Sequence, residues 1–515
     1  MLLHQFFDDT AQRLPGKLAL ICDGHRHTYA QLAARVDQLA TLLQVRGVER
    51  GERVALFLDN SIEMVVGVLA TLRIGAVFMP VNPLTKHDKL TFMLNDARAS
   101  ALIAHDALAG IWRHALRATP TIRTCLIVSD PVTELTSDAT SGRCIPYPLS
   151  GEALRKSEID PKTIDQDLAG IIYTSGSTGN PKGVMLTHLN MVSAAHSVSG
   201  YLGLRESDVI LCVLPLAFDY GLYQLLMSIK VGATLVLERS FSFPIKTLER
   251  MAEERVTVFP GVPTMFSQLM SLKALETFDL SSLRMITNTA AALSEEHIRQ
   301  LRALFPQAIL FSMYGLTECK RVTFLPPEQL DIRPTSVGRG MPNEEVWLVD
   351  DHGKRLPNGS TGELVIRGSN VMRGYWENPA ETEKRLKPGP MPGEMVLYSG
   401  DLFRTDDEGW LYFVARRDDI IKSRGEKVSP REVENAIYSL EGVMDAVVVG
   451  VKDELLGEAV KAYVVQKDGY DLSERDVIRH CLGRLENFMA PKHVEFVLEL
   501  PKTHTGKIMR TGLGQ

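Results

Sequence analysis

The stretch Ile171-Ile-Tyr-Thr-Ser-Gly-Ser-Thr-Gly-Asn-Pro-Lys-Gly-Val184 decides the fold. An apolar, strand-like run ends at Tyr173 and gives way to Thr174, Ser175, Gly176, Ser177, Thr178 and Gly179, with Lys182 just beyond. Glycines let backbone N–H groups come close to an anion, hydroxyls add donors, and the lysine adds charge. This is the chemistry of a phosphate cradle on an α/β scaffold. It is not the Walker loop, whose lysine follows glycine directly, because Pro181 precedes Lys182. A merely flexible Gly/Ser loop would need neither the lysine nor the preceding strand.

Outward from this stretch the pattern alternates helix and strand, the mark of α/β architecture. Tyr29 to Val45 has helical apolar spacing, and Arg53 to Leu58 is strand-like. Ser61 is placed to cap a helix running to Leu72, and the apolar window Met64 to Val81 is a buried helix entering a buried strand. Ala101 to Ala104, Thr124 to Ser129, Val209 to Val213, Thr234 to Leu237 and Val256 to Phe259 are further strands. Asp130 to Pro148, rich in Ser, Thr, Pro and Asp, is expected to be a surface loop. From Val346 to Leu411 the pattern shortens to a β-rich subdomain. A last unit begins near Arg416, with strands at Ala446 to Val451 and Ala459 to Val465 and a helix from Ser473 to Leu485. The expected organisation is therefore a large N-terminal domain, 1–415, of α/β subdomains plus a β-rich subdomain, and a small α+β C-terminal domain, 416–515.

Composition narrows the function. At 515 residues the chain exceeds one core. With 45% hydrophobic and 23% charged residues it is globular rather than disordered. Lys+Arg 57 against Asp+Glu 63 leaves a net charge of -6, which provides no footprint for nucleic acid or an anionic membrane. The cysteines (Cys22, Cys125, Cys144, Cys212, Cys319, Cys481) are scattered without zinc spacing, as expected of reduced thiols in the cytoplasm. No signal peptide and no transmembrane segment is expected.

Four more segments carry chemistry. In Met313-Tyr-Gly-Leu-Thr-Glu318, Tyr314 can stack on a base, Thr317 can donate to a phosphate and Glu318 can hold Mg²⁺. In Tyr398-Ser-Gly-Asp401, the aspartate can accept ribose hydroxyls. Ala415 to Pro430, with Arg416 and Lys422, is basic and glycine-punctuated. Pro501 to Ile508 holds a Gly-Lys turn at Lys507. Singly each is weak.

In this order the five segments resemble the AMP-forming adenylating superfamily of acyl-CoA synthetases, peptide-synthetase adenylation domains and luciferases, and the resemblance covers essentially the whole chain. It implies two half-reactions: ATP and a carboxylate give an acyl-adenylate and pyrophosphate, and a thiol then displaces AMP. It implies that Thr174 to Lys182 hold the β- and γ-phosphates, that Asn288 to Ala291 line adenine, and that Tyr314 stacks on it. Thr317 would meet the α-phosphate, Glu318 the Mg²⁺, and Asp401 the ribose with Arg416, with Lys422 also on the nucleotide. Lys507 would be the catalytic lysine and Asp418 the hinge on which the C-terminal domain turns. Ala415 departs from the family's glycine.

For the substrate, the resemblance points to Phe218, Asp219, Tyr220, Tyr223 and Met313. Acyl- and aryl-CoA ligases resemble this segment with histidine at the position of Phe218, whereas amino-acid-adenylating enzymes carry Phe-Asp. A carboxylate in an apolar pocket needs a cation. Asp219 therefore favours a small amino or imino acid, against the alternative of a fatty or aryl acid with Asp219 paired internally. Lys320 and Arg321 leave two readings open, a second acidic group on the substrate or the protein surface. With no carrier domain after Lys507, the expected acceptor is CoA or a separate carrier protein. A nucleotide-binding protein without chemistry would not need Lys182, Glu318, Asp401, Arg416 and Lys507 together; luciferase-like oxidation remains open.

Overall fold

The computed structural model describes residues 1–129, 142–147, 162–174, 181–272, 274–289, 293–423, 426–453, 457–502, 508–510 and 512–513, with only the backbone of 418, 422, 427 and 457. Among these, two large sheets build the N-terminal domain. One runs Gly374–Tyr375, Lys182–Thr187, Leu168–Thr174, Val77–Val81, Arg53–Phe57, Ala101–His105, Thr124–Val128, Cys144–Tyr147. The other begins at Arg339–Gly340 and passes through Thr323–Phe324, Ile309–Tyr314, Met285–Asn288, Val258–Gly261, Val209–Cys212 and Thr234–Leu237 to Leu18–Cys22 and His25–Thr28.

Helix Ile62–Arg73 is buried on all sides from Met64 to Leu72. Leu56, Phe78 and Ile103 of one sheet and Leu20, Ile210 and Val236 of the other share its core. An all-round apolar sequence is what a helix between two layers requires. Ser61 caps it, accepting from Met64 N at 3.2 Å. Ser473 likewise caps the helix Glu474–Leu482 in a capping box with Asp476.

A third sheet, Glu344–Val349, Thr361–Gly368, Met395–Thr405 and Leu386–Pro388 with Leu411–Arg416 alongside, is the β-rich subdomain. A fourth, built from Ile421–Ser423, Glu426–Val428, Val443–Asp453, Gly457–Gln466 and His493–Phe496, forms the small C-terminal domain with its own core.

Two sequence expectations need correction. The segment expected to be loop between Asp130 and Pro148 contains the strand Cys144–Tyr147, paired in parallel with Thr124–Val128. The neighbouring edge supplies the hydrogen bonds that its composition does not advertise. The strand expected at Val256 to Phe259 runs Val258–Gly261. Arg255 has φ +50°, and the Thr257 hydroxyl accepts from Val209 N at 3.0 Å, which delays entry into the ladder.

Candidate active site

Strands Leu168–Thr174 and Lys182–Thr187 are antiparallel with Thr174 opposite Lys182, so the ends of the phosphate-loop segment stand side by side. Ser175, Gly176, Ser177, Thr178, Ala291 and Lys507 lie outside the described residues, as do the side chains of Asp418 and Lys422. The Lys182 ammonium is ion-paired with Glu381, whose carboxyl the lysine pulls down to about 2, helped by Lys384. Lys182 Nζ also lies 5.7 Å from the centroid of the Tyr375 ring. The Tyr375 hydroxyl donates to Glu318 Oε1 at 2.7 Å. One tyrosine thus spans the distance between the phosphate-type lysine and the metal-type carboxylate.

Glu318 lies in the loop that leaves strand Ile309–Tyr314. Asn288, at the end of the adjoining strand, is buried and registers with Ser312, two residues before Tyr314. The Tyr314 ring packs edge-on against Phe403 at 4.8 Å, and its hydroxyl donates to Asp401 Oδ2 at 2.6 Å. Asp401 registers with Arg416, whose Nε is 3.8 Å from Asp401 Oδ1. Burial pushes the Asp401 carboxyl up, and Arg416 and the Tyr314 hydroxyl partly offset it. Glu318 is felt electrostatically at both Asp401 and Arg416. Tyr314, Glu318, Asp401 and Arg416 therefore form one cluster, which Tyr375 links to Lys182. Thr317 lies half-buried within its loop.

A single carboxylate with one free oxygen suits Mg²⁺, which keeps waters and takes phosphate oxygens rather than a full protein cage. Among the described residues, the trio of metal-ligating side chains found together is His87, Asp88 and His114. It is exposed and includes none of these groups.

Behind the loop lies the segment assigned to the substrate. Phe218 precedes helix Asp219–Val231, whose first turns bury Asp219, Tyr220 and Tyr223. Lys320, 2% exposed, donates from Nζ to Asp219 O at 2.5 Å and to Asp219 Oδ2 at 3.2 Å. The same ammonium stands 4.2 Å from the Tyr223 ring centroid and 5.7 Å from that of Tyr220. Burial, reinforced by Arg321, pushes the Lys320 pKa down to about 7 although Asp219 opposes this. Lys320 is held at φ +71°, a left-handed conformation uncommon outside glycine. Arg321 is buried, with its guanidinium 4.4 Å from the Tyr220 ring centroid. Met313 is buried and its sulfur accepts from the Tyr201 hydroxyl at 2.9 Å.

Asp219 thus has an internal cation, the alternative pairing that the sequence left open. Of the two readings of Lys320 and Arg321, the surface one is excluded. Sequence reasoning missed Glu381 and Tyr375. Both sit in the β-rich stretch, where nothing in the spacing marks them as partners of residues nearly 200 or 60 positions away.

The description "AMP-binding enzyme" matches residues 7–376, and "AMP-binding enzyme C-terminal domain" matches residues 432–507. A long-chain-fatty-acid–CoA ligase of Bacillus subtilis (strain 168) is 32% identical over 99% of this chain and 94% of its own. Among solved structures, a benzoate CoA ligase from Burkholderia xenovorans LB400 superposes with TM-score 0.87 at 27% identity, covering 100% of both chains. ATP-bound MatB from Rhodopseudomonas palustris superposes with TM-score 0.86 at 29% identity, covering 100% of this chain and 98% of its own.

Proposed function

We propose, from the premise that the chain belongs to the AMP-binding enzyme family, how its cleft divides the work of a two-step acid ligase. The chain is an AMP-forming acid–CoA ligase that uses ATP. The observation that carries the residue assignments is the two neighbouring sets Lys182–Tyr375–Glu318 and Tyr314–Asp401–Arg416, coupled through the charge of Glu318. Tyr314 takes the adenine face, and Asp401, with Arg416, the ribose hydroxyls. Thr317 takes the α-phosphate, and Thr174 and Lys182, with Ser175 to Thr178, take the outer phosphates. Lys182 must exchange Glu381 for a phosphate, so nucleotide entry replaces one anionic partner by another. Glu318 would hold Mg²⁺, which would supply charge shielding for the phosphate oxygens. Asn288 and Ala291 close the adenine side, and Lys422 approaches the nucleotide from the C-terminal domain.

The amino- or imino-acid preference rested on a carboxylate in want of a cation. Lys320 is that cation, so we assign the pocket to an acid that needs no ammonium. CoA is the acceptor, a phosphopantetheine carrier protein its rival, and the cytoplasm the compartment. Among the described residues no helix is long and apolar enough to cross a membrane. Pyrophosphate exchange across amino, fatty, aryl and dicarboxylic acids tests the reading. Exchange is expected with acids lacking an amine, and exchange with amino acids alone would overturn it.

The division at 415/416 falls before the last residue of strand Leu411–Arg416, the last of the β-rich sheet, just ahead of the turn Arg417–Asp419 that leads to the fourth sheet. Asp418 is the hinge. Asp418→Pro fixes φ and removes a backbone N–H. It should leave adenylate formation intact and slow transfer to the thiol, and equal loss of both half-reactions would remove the hinge assignment.

A further inference from the structure

The loop from Tyr314 to Val322 folds back on itself. Val322 N donates to Tyr314 O at 2.9 Å and Lys320 N to Leu316 O at 2.7 Å. A Cβ at Gly315 would lie 2.2 Å from Lys320 O and 2.9 Å from Arg321 Cα, so only glycine permits the fold-back. The loop therefore has two sides. Tyr314 to Glu318 are half-buried on the nucleotide side, while Lys320 and Arg321 are buried on the other, against helix Asp219–Val231. Lys320 and Arg321 therefore stand behind the residues assigned to the nucleotide, between them and that helix.

Arg321 is 1% exposed, and its Nε and Nη2 are buried without a hydrogen-bond partner. These two nitrogens share one edge of the guanidinium, the edge that binds a carboxylate through two parallel N–H···O bonds. A guanidinium stays charged in a protein, so unlike Lys320 it has no protonation change by which to relieve its burial. The nearby carboxylates do not supply the missing charge. Asp219 is held by Lys320, and Glu344 accepts from Asn370 at Oε2, with no hydrogen bond or ion pair to Arg321 among the described residues. Asp219 and Lys320 thus partner each other, and the Nε–Nη2 edge of Arg321 is left without an anion. A buried charge of this kind is costly until it is paired.

Resting on the ligase reading above, we infer that the acid activated here carries a second carboxylate, which docks on the Nε–Nη2 edge of Arg321. Tyr220 and Tyr223, both buried against the two cations, limit the spacer between the two carboxylates to a short or flat one. The substrate class is a compact aliphatic or aromatic dicarboxylic acid, and Arg321 is its specificity-determining residue.

The test is pyrophosphate exchange by the full-length enzyme with succinate, glutarate, adipate, phthalate and terephthalate. Each is compared with its monomethyl ester and with the monoacid of equal length. The preferred diacid is expected to exceed its half-ester by about 100-fold or more in kcat/KM, since the ester leaves the guanidinium unpaired. In Arg321→Met, matched in length and apolar, that ratio should collapse to near one or invert while the KM for ATP holds. The wild-type comparison stands even if this variant fails to fold. Half-esters or monoacids exchanging as well as diacids would overturn the second-carboxylate inference and leave the ligase intact. Absence of exchange with every acid would overturn the ligase reading and this inference with it.

Discussion

Lys507→Ala is expected to lower adenylate formation by about two or more orders of magnitude, the loss that follows removal of one transition-state charge contact. Attack on the α-phosphorus gathers charge on its equatorial oxygens, and a lysine poised there stabilises that charge with little reorganisation. The assignment rests on the family resemblance of the Gly506-Lys507 turn. The residues on either side are well anchored: Lys502 and Ile508 form an antiparallel bridge, and Met509 N donates to Pro501 O at 2.7 Å. Arg510 joins the segment to the C-terminal domain through ion pairs to Glu434 and Asp419. Transfer from externally supplied acyl-adenylate to CoA should survive the substitution. Measuring pyrophosphate exchange and thioester formation separately checks this. Near wild-type exchange, or equal loss of both steps, would remove Lys507 from the role.

The grouping of Tyr314, Glu318, Asp401 and Arg416 was legible because the chemistry of each segment is local. Thr174 to Lys182, Met313 to Glu318 and Tyr398 to Asp401 each carry donors, glycines and charge within a few residues, and the fold had only to bring the segments together. Helix Ile62–Arg73 was equally plain, since an all-apolar run behind Ser61 permits little else. In the acid half the sequence left the partner of Asp219 open for a physical reason. A sequence presents the Asp219 carboxylate without its partner, because Lys320 lies 101 positions later and meets it only through the packing of the loop on the helix. Glu381 lies 199 positions from Lys182, with the same consequence. Charge compensation in a core is a tertiary property, and motif reading registers only one member of each pair. Cys144–Tyr147 escaped for a related reason, being held by the neighbouring strand edge rather than by its own composition.

The Asp219–Lys320 pair makes a second large effect measurable, on stability. The side chains are 11% and 2% exposed, so each charge depends on the other. Below about pH 7, where Lys320 carries its charge in the fold, Lys320→Met should destabilise the fold by about 3–5 kcal/mol, because it leaves a buried carboxylate unpaired. The double variant Asp219→Ala/Lys320→Met removes both charges, and apolar replacement of a whole buried pair is often neutral. It should recover most of the loss, giving a strong interaction term in the double-mutant cycle. The pH dependence carries a distinct signature. With its folded pKa pushed down to about 7 from the ordinary 10.5, Lys320 binds more protons in the unfolded state between those values. Stability contributed by this site should therefore rise with pH from about 7 to about 10.5 and level off above. In the double variant that part of the slope disappears. Urea unfolding of the four proteins across this range provides the measurement. Additive losses, or a slope unchanged when Lys320 is absent, would show that Asp219 and Lys320 are not a coupled, buried pair.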